Sequence, residues 1–260
     1  MIGIYFSGTG NTKYCIEMFL KYYNENKENK VYSIEDKNCI KEIKENNDIV
    51  FAYPIYYSDL PIIVRNFIID NKKIFQNKNI FIIVTMGLFS GDGSGCLARL
   101  LKKYGANIMG GLHLKMPDCI GDVKALKKSL EENKKIVKIA NKKIKETVEK
   151  IKNGHYSRDG LTFVNHLAGL FGQRLYFYKK TYKLKNKLKI NYKKCISCGK
   201  CSNLCPMENI KMMDTKPTPQ NQCTSCYRCI NNCPKQAITL IGNEVVEQCT
   251  IERYIDDNSL

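Results

Sequence analysis

The sequence contains no tryptophan, and among its 260 residues only three are histidine and seven are proline. Without tryptophan, stacking on a flat heterocycle falls to tyrosine and phenylalanine. So few histidines leave little scope for an imidazole-bound metal. Neither His155 nor His166 has a second His, Cys or carboxylate at ligand spacing, and both read as surface or satisfied interior positions. No stretch approaches the roughly 20 uninterrupted apolar residues of a membrane-spanning helix. A charged lead-in followed by an apolar stretch is also missing, since the opening MIGIYF reads as a short buried strand. A cytoplasmic, water-soluble chain is therefore expected, long enough for two modest domains with cores of their own.

Cysteine and lysine are what the chain has in excess. Thirteen cysteines without a secretory signal point to metal or redox chemistry in place of a disulfide framework. Eight of them fall between Cys195 and Cys233, whereas Cys15, Cys39, Cys96, Cys119 and Cys249 are scattered and read as inert thiols. The formal charge of +17 raises nucleic acid or an anionic membrane as partners. Its placement argues against a general polyanion binder: residues 121–194 hold 21 basic and 6 acidic side chains, and the segments on either side are close to neutral. Docking of acidic redox proteins is the expected use of that charge.

Five apolar runs, Ile2–Phe6, Val31–Ile34, Asp48–Tyr53, Asn79–Thr85 and Ile108–Leu114, alternate with helical or loop segments. That alternation predicts a parallel sheet with helices on both faces. A last helix is read from Leu126, Leu130, Val137, Ala140, Ile144, Val148 and Ile151, apolar at helical spacing with lysines between. After the first strand comes Ser7, Gly8, Thr9, Gly10, Asn11, Thr12, leading into a helix from about Lys13. Hydroxyls and glycines at a helix start form an anion cradle, because free backbone N–H groups and the helix dipole both favour a phosphate. The Gly-Lys-Ser/Thr of a P-loop is missing, and Lys13 stands where a dinucleotide fingerprint needs its third glycine, although Glu35 and Asp36 sit where a ribose ligand would.

S-G-T-G-N-T directly after an N-terminal strand resembles the FMN phosphate loop of flavodoxins. The resemblance covers about residues 1–152 and implies a doubly wound, five-stranded parallel α/β domain. It also implies two flavin-ring loops, one with Tyr53, Pro54, Tyr56 and Tyr57, the other with Thr85, Met86, Gly87, Gly91 and Gly93. Both follow strand C-termini, where ligands of such sheets bind. Phe51 and Tyr53 also read as core residues of a buried strand, and which tyrosine stacks on the ring stays open. Cys96 and Cys119 fall near the flavin end of such a sheet, where the expected reading is a buried inert thiol.

From Cys195 the chain reads C-I-S-C-G-K-C-S-N-L-C-P, and from Cys223 it reads C-T-S-C-Y-R-C-I-N-N-C-P. A shift of 28 residues superimposes the four cysteines, Pro206 on Pro234, Ile210 on Ile238 and Met212 on Leu240, the mark of an internal duplication. Zinc sites also use C-x2-C pairs, but zinc does not call for this longer run twice. Both runs resemble bacterial ferredoxins, which implies a small α+β domain over 191–260 with two [4Fe-4S] clusters. In that family the fourth cysteine crosses over, so Cys195, Cys198, Cys201 and Cys233 would hold one cluster and Cys223, Cys226, Cys229 and Cys205 the other.

Between the two lies 153–190, an apolar stretch from Leu161 to Tyr178 followed by six lysines from Lys179 to Lys189. It reads as a packing connector, with contact to a membrane surface as the competing use. The whole chain resembles flavodoxin and ferredoxin fusions of anaerobic metabolism. That implies an electron relay between two clusters and FMN, with an FMN-dependent reductase of a small organic substrate as the alternative; no catalytic acid, base or nucleophile is evident.

Overall fold

The computed structural model describes residues 1–25, 28–57, 59–88, 91–162 and 180–255. The sheet of the first half has strands β1 (Ile2–Tyr5), β2 (Val31–Ser33), β3 (Asp48–Pro54), β4 (Asn79–Met86) and β5 (Asn107–Lys115), in the order β2-β1-β3-β4-β5. All four pairings are parallel. The near-continuous apolar runs of β3 and β4 fit this position, because a central parallel strand is covered on both faces. Alternate residues feed two cores. Ile49, Phe51, Tyr53, Ile80, Ile82 and Val84 face one way, with Val64 and Ile68 of α3 (Ile62–Asp70) and Leu97 and Leu101 of α4 (Gly93–Lys103). Val50, Ala52, Phe81 and Ile83 face the other, under α1 (Asn11–Asn24) and α5 (Leu130–Lys152). The short α2 (Cys39–Glu45) buries Cys39 and Ile43 against the first core.

Two helix starts differ from the sequence reading, and the strand ends shift by a residue or so. Helix α1 begins at Asn11, two residues early, because Gly10 takes a left-handed φ of 92° and turns the chain into the helix. Helix α5 begins at Leu130, so Leu126 falls in a preceding 3-10 turn; Ser129 and Glu132 form a reciprocal capping box that sets the start. Residues after 152 pack back on the first domain. Gly111 on the edge of β5 donates to Ser157 O at 2.8 Å, Asp159 N donates to Gly111 O at 3.0 Å, and Leu161 packs on the core.

In the second domain Leu188 is buried with Ile210, Ile230, Ile238 and Leu240, and Leu184 of α6 (Lys180–Leu184) packs against them. It is built from two antiparallel pairs, β6 (Lys189–Ile190) with β9 (Ile238–Thr239) and β7 (Ile210–Met213) with β8 (Lys216–Pro219). One short helix follows each of two cysteine loops, α7 (Lys200–Asn203) and α8 (Arg228–Asn232). The apolar stretch read as a connector or membrane contact falls mostly in 163–179, outside the described residues, as do Ser58, Phe89 and Ser90 of the two ring loops. No helix among the described residues is long and apolar enough to cross a membrane.

Candidate functional site

The C-terminal ends of β1, β3, β4 and β5 open into a cleft of about 430 Å³, within the range of cofactor sites. Ser7, Gly8, Thr9, Asn11 and Thr12 line one end, and Pro54, Tyr56, Tyr57, Thr85, Met86 and Gly87 line the middle. Ser7 Oγ accepts from Gly10 N at 3.1 Å, and the Thr12 and Thr85 hydroxyls meet at 2.7 Å, tying two of the loops together. Asn11 Nδ2 donates to Pro117 O at 2.8 Å, which leaves Asn11 Oδ1 buried with no partner among the described residues.

Four residues named from the sequence do not line this cleft. Tyr53 is fully buried in the core, its hydroxyl donating to Gly93 O at 2.5 Å. The strand that carries it is covered on both faces, so its ring packs under α4. Gly93 is the first residue of α4, and Gly91, with φ 58°, shapes the turn before it. Gly10 faces away from the cleft, and a Cβ there would lie 2.3 Å from the Ile251 side chain. Nor is Glu35 free to meet a ribose, because Arg228 holds both its carboxylate oxygens at 2.7 Å.

Of the rest of the wall, the sequence reading pointed only to Cys119. Met116, Pro117, Asp118, Cys119 and Ile120 follow β5, and Ser225, Tyr227 and Ile241 come from the second domain. The domains meet at this point. Arg228 donates to Ser7 O at 2.7 Å and to Glu35, and a Cβ on Gly8 would lie 2.2 Å from Cys226 O. Ile251 N donates to Thr9 O at 3.1 Å, so the C-terminal segment braces the same loop. Buried Asp122 accepts from Tyr227 OH at 3.0 Å and from the backbone N–H groups of Leu240, Ile241 and Gly242 at 2.7 to 3.1 Å.

The eight clustered cysteines fall into two groups of four. One cavity is lined by Cys205, Cys223, Cys226 and Cys229, the other by Cys195, Cys198, Cys201 and Cys233. The fourth cysteine of each run thus sits with the first three of the other. Apolar residues complete both walls, including Leu188, Ile210 and Ile230 in the first and Ile190, Ile196 and Ile238 in the second. The duplication repeats in backbone contacts to sulfur. Ser197 N and Ser225 N lie 3.4 Å from Cys195 Sγ and Cys223 Sγ, and Asn209 N and Ala237 N lie 3.2 and 3.3 Å from Cys205 Sγ and Cys233 Sγ. Such N–H···S contacts favour a sulfur carrying negative charge, as a metal ligand does. Burial, the largest cause, works the other way and is reinforced by neighbouring cysteines, so that Cys223 is pushed up to about 11 and Cys226 up to about 12 despite the backbone N–H contacts.

The residues fit the groups that the sequence implies. Helix α1 presents first-turn N–H groups and hydroxyls to the cleft, and Ser225 Oγ, also at the cleft, is buried without a partner among the described residues. Thr224 Oγ1 is likewise unpartnered, and Thr224 lines the first cysteine cavity.

Residues 2–108 match the family model of the flavodoxin domain, and residues 187–234 match that of the 4Fe-4S dicluster domain. Among solved structures, Fusobacterium nucleatum flavodoxin bound to flavin mononucleotide is similar at 21% identity, covering 59% of this chain and 97% of its own, with a TM-score of 0.42. Two-electron reduced Megasphaera elsdenii flavodoxin is similar at 22% identity over 45% of this chain and 89% of its own, with a TM-score of 0.41. No curated protein matches.

Proposed function

We propose, from a chain that joins a flavodoxin domain to a 4Fe-4S dicluster domain, that it relays electrons within one molecule between two [4Fe-4S] clusters and FMN. The chain is an FMN and iron–sulfur electron-transfer protein; the relay is the specific role assigned to it here. When bound, clusters supply single-electron exchange and FMN exchange of one or two electrons. Cys195, Cys198, Cys201 and Cys233 hold one cluster in this reading, and Cys205, Cys223, Cys226 and Cys229 the other. The phosphate lies at Ser7 to Thr12.

One observation carries the proposal. Tyr227 lines both the flavin cleft and the cavity of Cys205, Cys223, Cys226 and Cys229. Its neighbour Ser225 faces the cleft while Cys226 faces the cysteine cavity, so the cysteine loop itself is the partition. Covalent joining and this packing make exchange across the partition intramolecular.

The test is anaerobic purification followed by iron, sulfide and flavin analysis. About eight irons and eight sulfides per chain are expected, with FMN released on denaturation. Zinc in place of iron, or FAD in place of FMN, would contradict the reading. Replacing Cys205 or Cys233 by Ser should damage the cluster held mainly by the opposite run, and damage confined to its own run would refute the crossed grouping.

A second reading, reduction of a small organic substrate at the flavin, draws on one feature. Beside the cleft, Gly87, Leu88, Met116, Asp118, Ala125 and Leu126 also border a recess of about 160 Å³. Saturable turnover of a small acceptor would favour it over a carrier.

A further inference from the structure

The geometry points to a docking surface for an acidic one-electron carrier protein over the cavity of Cys195, Cys198, Cys201 and Cys233, an assignment that rests on the relay reading. The two cysteine cavities differ in exposure. Cys226 and Cys229 are buried and their cavity shares Tyr227 with the flavin cleft, whereas Cys198 is exposed. The inner site therefore faces the flavin, and the outer one is where a second protein can approach.

Around Cys198 the surface has an apolar centre. Tyr192, Ile196 and Met213 are 50%, 57% and 54% exposed. Ile196 borders the outer cavity, as does Pro217 of the β7–β8 hairpin that carries Met213; Tyr192 OH donates to Pro217 O at 3.2 Å and so holds to the same hairpin. The rim is cationic: Lys193, Lys194, Lys200, Lys211, Lys216 and Lys235 are all exposed. Across 189–200, 210–219 and 233–238 they meet a single carboxylate, Asp214. An apolar centre within a charged rim is the anatomy of a specific, short-lived protein contact. Rim charge sets which partner arrives and how fast, and here it requires an acidic face. A carrier seated there brings its redox centre against an exposed cluster ligand.

The experiment titrates the complete, cofactor-loaded protein with a strongly acidic bacterial ferredoxin at low and high salt, and maps carbodiimide cross-links by mass spectrometry. The expected result is a salt-sensitive complex with cross-links at Lys193, Lys194 or Lys216. Lys193→Glu/Lys194→Glu/Lys216→Glu should weaken it by about tenfold or more at low salt with unchanged iron content. None of these three lysines lines a cysteine cavity. If that variant fails to fold, Lys193→Gln/Lys194→Gln/Lys216→Gln should weaken binding in the same direction. Docking, expected of the whole basic segment 121–194, is narrowed here to its last residues and the cysteine domain, so Lys134→Glu/Lys138→Glu/Lys142→Glu on α5 should bind like the wild type. Equal weakening by both triple replacements, cross-links elsewhere, absence of a complex, or tighter binding of duplex RNA to the same lysines would overturn the assignment. Binding is read without electron passage. A failed relay would therefore leave a positive result standing, and failed docking would leave the relay measurable with a small donor.

Discussion

Tyr227 shows what one position can record. It stands 28 residues after Gly199, and both take left-handed backbone, with φ of 59° and 71°. Glycine adopts that conformation freely, whereas a tyrosine there costs about 1–2 kcal/mol. The inner copy of the repeat accepts that cost because the buried ring fills the partition beside the cleft and its hydroxyl meets Asp122. Tyr227→Gly, which restores the residue of the outer copy, is thus expected to destabilise the protein, because losing a buried aromatic costs about 3–5 kcal/mol. Urea unfolding followed by cluster absorbance checks this; a variant as stable as the wild type would show that the ring contributes no net packing.

His113 gives a pH prediction at the same scale. Burial is the main cause holding its imidazole down to about 4, and Ser94 N donates to His113 Nε2 at 3.2 Å, which requires that nitrogen unprotonated. The unfolded chain takes up this proton near pH 6.5 and the folded chain only near 4. Stability from the neutral ring is therefore complete above about 6.5 and declines as pH falls from there to about 4. Asp159 contributes in a lower window. Burial opposes its charge, yet Lys143 at 2.7 Å and the His113 N–H hold the carboxyl below its ordinary 3.8, so that contribution fades only as pH falls further. Thermal melts of wild type and His113→Gln between pH 7 and 4 should differ in slope; parallel curves would contradict the assignment.

Among the elements, α8 fastens the two domains. Its first residue, Arg228, reaches Glu35 after β2, Ser7 O after β1 and Leu204 O at 3.3 Å. A planar guanidinium can serve these acceptors together and an ammonium cannot. Arg228→Lys should therefore loosen the contact nearly as much as Arg228→Ala. Loosening is read as faster hydrogen exchange in 7–12 and 223–229, with the first domain's sheet as protected as before. Unchanged exchange in both segments would show that Arg228 is not the clamp.

The elements themselves were largely legible, for a physical reason. Buried parallel strands such as Ile49–Tyr53 and Ile80–Thr85 need continuous apolar runs, and α5 needs apolar residues every three or four positions, so packing writes its own period into the chain. The start of α5 is legible too, in the capping pair Ser129 and Glu132, although Leu126 keeps the same apolar period one turn before it. Tyr53 shows the limit of the loop reading: a tyrosine at a strand end has the same local signature whether its ring meets a ligand or, as here, lies under a helix with its hydroxyl on Gly93 O.

At the scale of the molecule, less could be read. Eight cysteines announce themselves through a repeated run, and the likeness to ferredoxins implies their crossed grouping, but Ser225 and Tyr227 carry no local sign that they close a cleft more than 200 residues from Ser7. Domain contact depends on surfaces that meet only after folding. Gly8 against Cys226 O, Thr9 O against Ile251 N, and Asp122 against three backbone N–H groups are long-range pairings with no sequence period. That packing turns two separate cofactor domains into a candidate relay.

The relay claim is tested most directly by the order of flavin reduction. The loaded protein is mixed under anaerobic conditions with a small one-electron donor, and cluster and flavin absorbances are followed by stopped flow over a wide range of protein concentration. Flavin bleaching is expected to follow cluster bleaching with a first-order rate independent of protein concentration. A rate that rises in proportion to concentration, or a flavin that stays oxidised beside reduced clusters of higher reducing power, would contradict it.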